Sequence, residues 1–174
     1  MLGRLVSLSS LPASERCPVL AYRFTWILPD LLAAMACPGY FTELDADLDH
    51  LAMEGITHIV TLTENPLNMP PDGVFKNHHF PVIDFAAPEH HQVLKFCHLV
   101  DEAETKGERV MVHCLAGIGR TGTFAAAYLM WRDGLTARQA LSRVRAIRRE
   151  YVQSVPQEDY LQDWEEWLQE GRGR

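Results

Sequence analysis

The chain has 174 residues and a formal charge of −7, with 47% apolar and 22% charged residues. That length and composition fit one domain around a single core rather than a disordered chain. The negative charge argues against a nucleic-acid partner, because neutralising a phosphate backbone needs a net basic surface, and no apolar run approaches the roughly 20 residues that insert across a bilayer.

Residues 1–22, opening MLGRLVSLSSLPASER, read as a flexible extension. They are Ser-rich, carry Arg4 and Arg16 and have no acid before Glu15, a faint transit-peptide character without a signal-peptide pattern. Residues 23–28 (RFTWIL) and 31–36 (LLAAMA) read as two short strands around a Pro29-Asp30 turn. A helix is predicted from Glu43 to Glu54, with Thr42 as N-cap, Leu44, Leu48 and Leu51 on one stripe and Gly55 as its stop. Residues 57–62 (THIVTL) and 109–113 (RVMVH) have the β-branched, apolar character of buried strands. Between them, 78–84 (HHFPVID) is a weaker strand candidate, followed by a helix over 89–106 closed by Gly107. TGTFAAAYLMWRDG, from Thr121, is apolar nearly all round, as a helix through a core would be, and Gly134 ends it. Thr136 and Gln139 form a capping box for the next helix, with Ala137, Ala140, Leu141, Val144 and Ile147 on one face. Residues 157–168 form an acidic last helix that buries Tyr160, Leu161, Trp164, Trp167 and Leu168. Strands alternating with helices imply an α/β fold, a largely parallel central sheet flanked by helices on both faces, within one domain spanning 23–170 and followed by a tail at 171–174. In such folds the chemistry is expected at the carboxyl ends of the strands.

Residues 112–122, VHCLAGIGRTG, admit two readings. Gly117, Gly119 and Gly122 spell a dinucleotide fingerprint, with a strand before and a helix after. That reading needs a further strand ending in an acid about 20 residues on, whereas residues 135–150 are helical and basic. Cys114 and Arg120 spell Cys-x5-Arg. A thiolate is the reactive form of cysteine, and backbone N–H groups at a helix N-terminus beside a guanidinium favour it. The same donors bind a phosphoryl group. Cys114 would attack phosphorus while the amides of Leu115, Ala116, Gly117, Ile118, Gly119 and Arg120 hold the equatorial oxygens, and Arg120 would grip two of them in a planar fork. Gly117 and Gly119 let the backbone turn inward. His113 would order the loop rather than act as a base, and the Thr121 hydroxyl would stabilise the departing thiolate. An inert buried thiol is the plain alternative for any one cysteine, but here His, Cys, two glycines, Arg and Thr occupy compatible places in one short turn.

The run H-C-x-x-G-x-G-R-T-G resembles the signature loop of the cysteine-dependent protein tyrosine phosphatases, and specifically the small atypical dual-specificity group. The likeness runs from about Phe24 to Leu168 and includes WILPDLLAAM and HIVTLTENPL. It implies a protein tyrosine phosphatase-like fold and hydrolysis of phosphate monoesters through a phosphocysteine, with phosphotyrosine favoured and phosphoserine or phosphothreonine accessible. The family places its general acid, an Asp, about thirty residues before the cysteine, which selects Asp84 in PVIDFAAP. A turn or helix-cap role is the alternative for Asp84, and Glu89 and Asp72 are weaker candidates for the acid. The family also positions its hydrolytic water with a polar side chain from a late loop, and VPQED supplies Gln157. Ile83 stands where members often have Pro, and RREYVQS at 148–154 where they often have an R-P-G-S-like turn, so substrate preference is not carried across.

No cofactor and no metal are expected, since His78-His79 and His90-His91 are adjacent pairs with no completing ligand spacing. Four cysteines without a C-x-x-C pair fit a reducing, cytoplasmic setting. The expected partner of a monomer is a phosphorylated protein or peptide. A phosphoinositide or inositol phosphate substrate is an alternative that the lysine-free loop does not favour, and a non-catalytic phosphoprotein-binding module is another. The arginines at 138, 143, 145, 148 and 149 read as a solvated face, or more sharply as a rim attracting anions.

Overall fold

The computed structural model describes residues 22–69 and 73–171. Most of the extension expected over 1–22, most of the tail and the candidate Asp72 lie outside the described residues. Ten elements follow in chain order: β1 (Thr25–Leu28), β2 (Leu32–Met35), α1 (Leu44–Met53), β3 (His58–Thr61), β4 (Lys76–His79), α2 (His90–Thr105), β5 (Val110–His113), α3 (Gly119–Asp133), α4 (Ala137–Ile147) and α5 (Val155–Gln169).

The strands form one sheet in the order β1-β2-β5-β3-β4. β1 and β2 are antiparallel across the tight turn at Pro29-Asp30, while β2, β5, β3 and β4 run parallel. Strand alternation then divides the core in two. Leu32, Ala34, Val60, Val110 and Val112 pack toward α2, α3 and α5, against Phe96, Phe124 and Trp164. Ala33, Met35, Ile59 and Met111 face the other way onto Leu51 of α1, Ile56 and Phe75. Helices therefore cover both faces. α3 is buried from Gly119 through Met130, which is why its sequence shows no polar stripe.

Several boundaries differ from the sequence reading, each for a physical reason. β4 occupies 76–79, not 78–84, since Pro81 has no N–H for the ladder and the chain beyond it turns, Ala86 N–H bonding to the Ile83 carbonyl at 3.0 Å. Thr42 does not cap α1. Its hydroxyl donates to Asp47 Oδ2 at 2.6 Å, and Glu43 holds the cap position without a side-chain bond. α3 starts at Gly119, before Thr121, and α5 starts at Val155 with Ser154 as its cap and a proline in the first turn, where its missing N–H is harmless. The Thr136–Gln139 capping box is present. Trp164 is fully buried, whereas Trp167 and Leu168 are half-buried at the rim of the core, Trp167 stacked on Trp164.

Candidate active site

Parallel β2, β5 and β3 end side by side, so the segments leaving them converge at one edge of the sheet. β5 ends at His113, α3 begins at Gly119, and residues 114–118 make the turn between them. Gly117 has φ +68°, and a Cβ on it would lie 2.3 Å from the Met35 carbonyl oxygen at the end of β2, so no other residue fits. Gly119 is glycine for a different reason: a side chain there would meet the amides of Gln157 and Gln153 at 2.9 and 3.0 Å. Cys37, leaving β2, donates its N–H to the Leu115 carbonyl at 3.0 Å and ties the turn down from outside. Among the described residues the N–H groups of 115–118 donate to no backbone carbonyl, which leaves them available to an oxyanion.

Cys114 sits in this turn, 3% exposed. His113 is fully buried beneath it, with Nδ1 3.2 Å from the Cys114 carbonyl and Nε2 2.9 Å from Thr61 Oγ1. A carbonyl can only accept, so Nδ1 carries the hydrogen and Nε2 accepts from the Thr61 hydroxyl. Burial pushes His113 down to about 4, which keeps the ring neutral and makes it a brace for the loop. Thr121 Oγ1 is buried without a partner among the described residues, at the first turn of the helix that follows the cysteine.

Arg120 is 2% exposed, and its guanidinium is held on three sides. One terminal nitrogen donates to Glu64 Oε2 at 2.9 Å and to the Val82 carbonyl at 2.8 Å, the other reaches Asp84 Oδ1 at 3.1 Å, and Nε is buried with no partner. Asp84 lies in the turn after β4, its side chain half exposed. It is neither a helix cap nor a core residue; Glu89 is the α2 cap, in a box with Gln92, and is taken up by that role. A cavity of about 360 Å³ opens over Arg120, walled by Cys37, Leu115, Pro66 and Leu67, with Glu64 and Asp84 on its acidic side. A larger cleft of about 590 Å³ runs between α4 and α5, but its lining includes none of these groups.

Gln157, on the first turn of α5, is 1% exposed. Its Oε1 accepts the Gln153 N–H at 3.0 Å and its Nε2 lies 3.4 Å from the Ala86 carbonyl, so it bridges the start of α3 and the turn bearing Asp84. The structure thus brings together Cys114, Arg120, Asp84, Gln157, His113 and Thr121. It adds Glu64, which sequence reading missed. Glu64 accepts the Asp84 N–H at 3.0 Å through one oxygen and Arg120 through the other, and a hydrogen bond from its own backbone, followed by those from Arg120 and Asp84, holds its carboxyl below the usual range. Its only sequence signal is an acid just past a strand, TLTEN, a position shared by many surface acids.

The remaining polar features go elsewhere. His78 pairs with His58 at 3.0 Å, His79 with the Thr63 carbonyl, His90 packs on Trp164 and Tyr160, and His91 meets Glu89, so neither adjacent pair converges. On α4, Arg143 pairs with Asp133, and Arg145 turns inward to backbone carbonyls and Glu158, so the helix is not a uniform basic rim.

Comparison with known proteins identifies the family. A family profile described as "Polymorphic toxin system, DSP-PTPase phosphatase" matches residues 33–134. The chain is 32% identical over 149 residues to tyrosine-protein phosphatase cdc-14 of Caenorhabditis elegans, an alignment that takes in 79% of this chain and 20% of that protein. It is 33% identical over 115 residues to dual specificity protein phosphatase 15 of Homo sapiens, covering 64% of this chain and 38% of that one. The chain therefore matches well under half the length of these curated relatives. Among solved structures, Tk-PTP in its active form superposes with a TM-score of 0.72 at 30% identity, over 82% of this chain and 96% of that one. No helix among the described residues is long and apolar enough to cross a membrane.

Proposed function

This chain belongs to the dual-specificity branch of the cysteine-dependent protein tyrosine phosphatase superfamily, and from that premise we propose that it hydrolyses phosphate monoesters on proteins through a phosphocysteine intermediate. Phosphotyrosine is the favoured substrate, with phosphoserine and phosphothreonine accessible. The observation that carries the reading is the Asp84 carboxylate, 3.1 Å from the guanidinium of Arg120 at the mouth of the turn that holds Cys114. A phosphate bound over that turn has a nucleophile behind it and an acid in front.

In the first step the Cys114 thiolate attacks phosphorus. The amides of the turn and Arg120, through Nε and a terminal nitrogen, take the charge on the equatorial oxygens, and Asp84 gives its proton to the departing ester oxygen. In the second, water attacks the phosphocysteine, Asp84 takes a proton from it, and the thiolate leaves toward the Thr121 hydroxyl. Gln157, between the start of α3 and the acid turn, is placed to hold that water. His113, neutral and braced by Thr61, keeps the turn in shape without exchanging a proton.

The cavity supports the substrate reading. Its described lining carries Glu64 and Asp84 beside Arg120 with no lysine, and Arg23, which also reaches the turn, donates to the Ala116 carbonyl at 3.3 Å, a poor match to a polyphosphorylated inositol head group. A pure binding module would need neither an acid poised at the arginine nor a buried glutamine next to it. The protein would act as a cytoplasmic monomer on phosphorylated protein, without metal or cofactor.

Hydrolysis of a small aryl phosphate across pH, with chelator present, tests this for wild type, Asp84→Ala and Cys114→Ser. The expected wild-type profile is bell-shaped; Asp84→Ala loses the basic limb, and Cys114→Ser binds vanadate without turnover. Residual turnover by a clean Cys114→Ser preparation, or wild type that binds vanadate but turns over nothing, overturns the reading, the latter in favour of a binding module.

A further inference from the structure

We propose that Ser154 is a positioning residue for the general acid: its hydroxyl latches the turn carrying Asp84 to the start of α5. This rests on the phosphatase reading above and extends it to a residue outside the reacting groups.

The acid turn closes on itself with the Ala86 N–H to the Ile83 carbonyl at 3.0 Å and the Phe85 N–H to Asp84 Oδ1 at 3.1 Å, but little burial holds it in place. Asp84 is half exposed, Ile83 is 71% exposed and Phe85 56% exposed, so burial of apolar surface does not fix it. Phe85 has φ +60°, a left-handed conformation that a bulky residue adopts only when its surroundings enforce it. That strained residue directly follows Asp84, so relaxation of its backbone would swing the carboxylate away from Arg120. Hydrogen bonds from outside the turn supply the restraint. On the β3 side Glu64 accepts the Asp84 N–H. On the α5 side Ser154 Oγ donates to the Phe85 carbonyl at 2.6 Å, and Gln157 Nε2 makes a longer contact to the Ala86 carbonyl at 3.4 Å. The bond from Ser154 is the shortest of these and acts on the strained residue itself.

The anchor is rigid. Ser154 caps α5, its Oγ accepting the Gln157 N–H at 3.4 Å while the hydroxyl hydrogen points to Phe85, so one hydroxyl is used as both acceptor and donor. The residues before it are clamped by Arg145, which donates to the Tyr151 carbonyl at 3.1 Å and the Val152 carbonyl at 2.8 Å. Val152 has φ +62°, the conformation least suited to a β-branched side chain. A stiff turn and a helix start thus hold the strained residue of an exposed loop through one hydroxyl.

Capping and latching separate by substitution. Ser154→Gly and Ser154→Asp both retain serviceable helix caps, but neither can donate to the Phe85 carbonyl; Ser154→Thr keeps the donor. The readout is kcat/KM over aryl phosphates of graded leaving-group ability, with vanadate affinity and melting temperature alongside. For Ser154→Gly and Ser154→Asp we expect a loss of about tenfold on the poorest leaving group and about twofold on the best, because protonation matters most where the leaving group is poor. Vanadate affinity holds, and Ser154→Thr restores the wild-type slope. A loss uniform across leaving groups, or one that tracks melting temperature, assigns Ser154 to capping alone and overturns the proposal, as does a wild-type slope in both variants. Should the wild type turn over none of these esters, the phosphatase reading fails. Amide exchange at residues 84–87 then decides the latch: faster exchange in Ser154→Gly supports it, and equal protection sinks it.

Discussion

Residues 113–121 and residues 83–87 meet across one cavity, yet opposite means hold them. The cysteine turn is fixed from within: His113 and Thr121 have no exposed surface, Gly117 is wedged against the β2 backbone, and α3 runs from the turn into the core. The acid turn is fixed largely from without, by hydrogen bonds from Glu64, Arg120, Ser154 and Gln157, with Ile83 and Phe85 open to solvent. In the proposed reaction, attack on phosphorus would therefore draw on the stability of the whole domain, whereas proton delivery would draw on a few hydrogen bonds. Changes on the first side should show as lost folding and lost oxyanion binding, and changes on the second as altered pH and leaving-group dependence in a folded protein.

The largest expected effect is on the inner side. Gly117→Ala places a Cβ 2.3 Å from the Met35 carbonyl at φ +68°. Strain and overpacking of about 1–3 kcal/mol each make a loss of about 4 kcal/mol, with vanadate binding lost too. Denaturant midpoints and vanadate titration check this, and a variant as stable as wild type would contradict the tight-turn account. Next is the pH dependence of His113, whose folded value is depressed from 6.5 to about 4. Between those values the unfolded chain binds a proton that the folded one refuses. Stability accordingly falls as pH falls through that window, by about 3 kcal/mol at about 1.4 kcal/mol per unit. Urea midpoints from pH 7 to 4 should fall less steeply in His113→Asn than in wild type; parallel curves would place the loss in other groups.

On the outer side, Glu64→Ala removes the acceptor of the Asp84 N–H and a partner of Arg120 from a half-exposed position. The expected result is about a tenfold fall in kcat/KM on esters with poor leaving groups, with the melting temperature little changed. A large drop in melting temperature would erase the distinction between the two regions. The smallest effect lies away from both: Thr136→Ala removes the α4 cap, with a loss of about 1 kcal/mol and wild-type leaving-group dependence. A changed dependence there would mean that the acid turn senses global stability after all.

The same division governs how much could be read in advance. Local periodicity located nine of the ten elements within a few residues, and the capping box of α4 was plain in its letters. The exception was β4, an edge strand of polar residues, KNHH, whose place comes from pairing with β3 and not from any pattern of its own. Thr42 reads as a helix cap in isolation, but Glu43 takes the cap position and the Thr42 hydroxyl donates to Asp47. Cys114, Arg120, His113 and Thr121 stand in one run whose spacing carries its own chemistry. Asp84 and Gln157 were reached only through resemblance to a family, and Glu64 and Ser154 not at all, because an acid after a strand or a serine before a helix is commonplace.

By itself, then, the sequence determined an α/β chain with a cysteine turn between a strand and a helix, since consecutive residues on a strand, turn and helix take their geometry from their neighbours. Only the tertiary structure decided which acid faces that turn and what steadies it. Glu64, Asp84 and Ser154 leave β3, follow β4 and precede α5, and they meet because parallel strands deliver their ends to one edge of the sheet while α5 packs beside α3. Contacts between segments so far apart depend on how the whole core packs, and no local stretch encodes them.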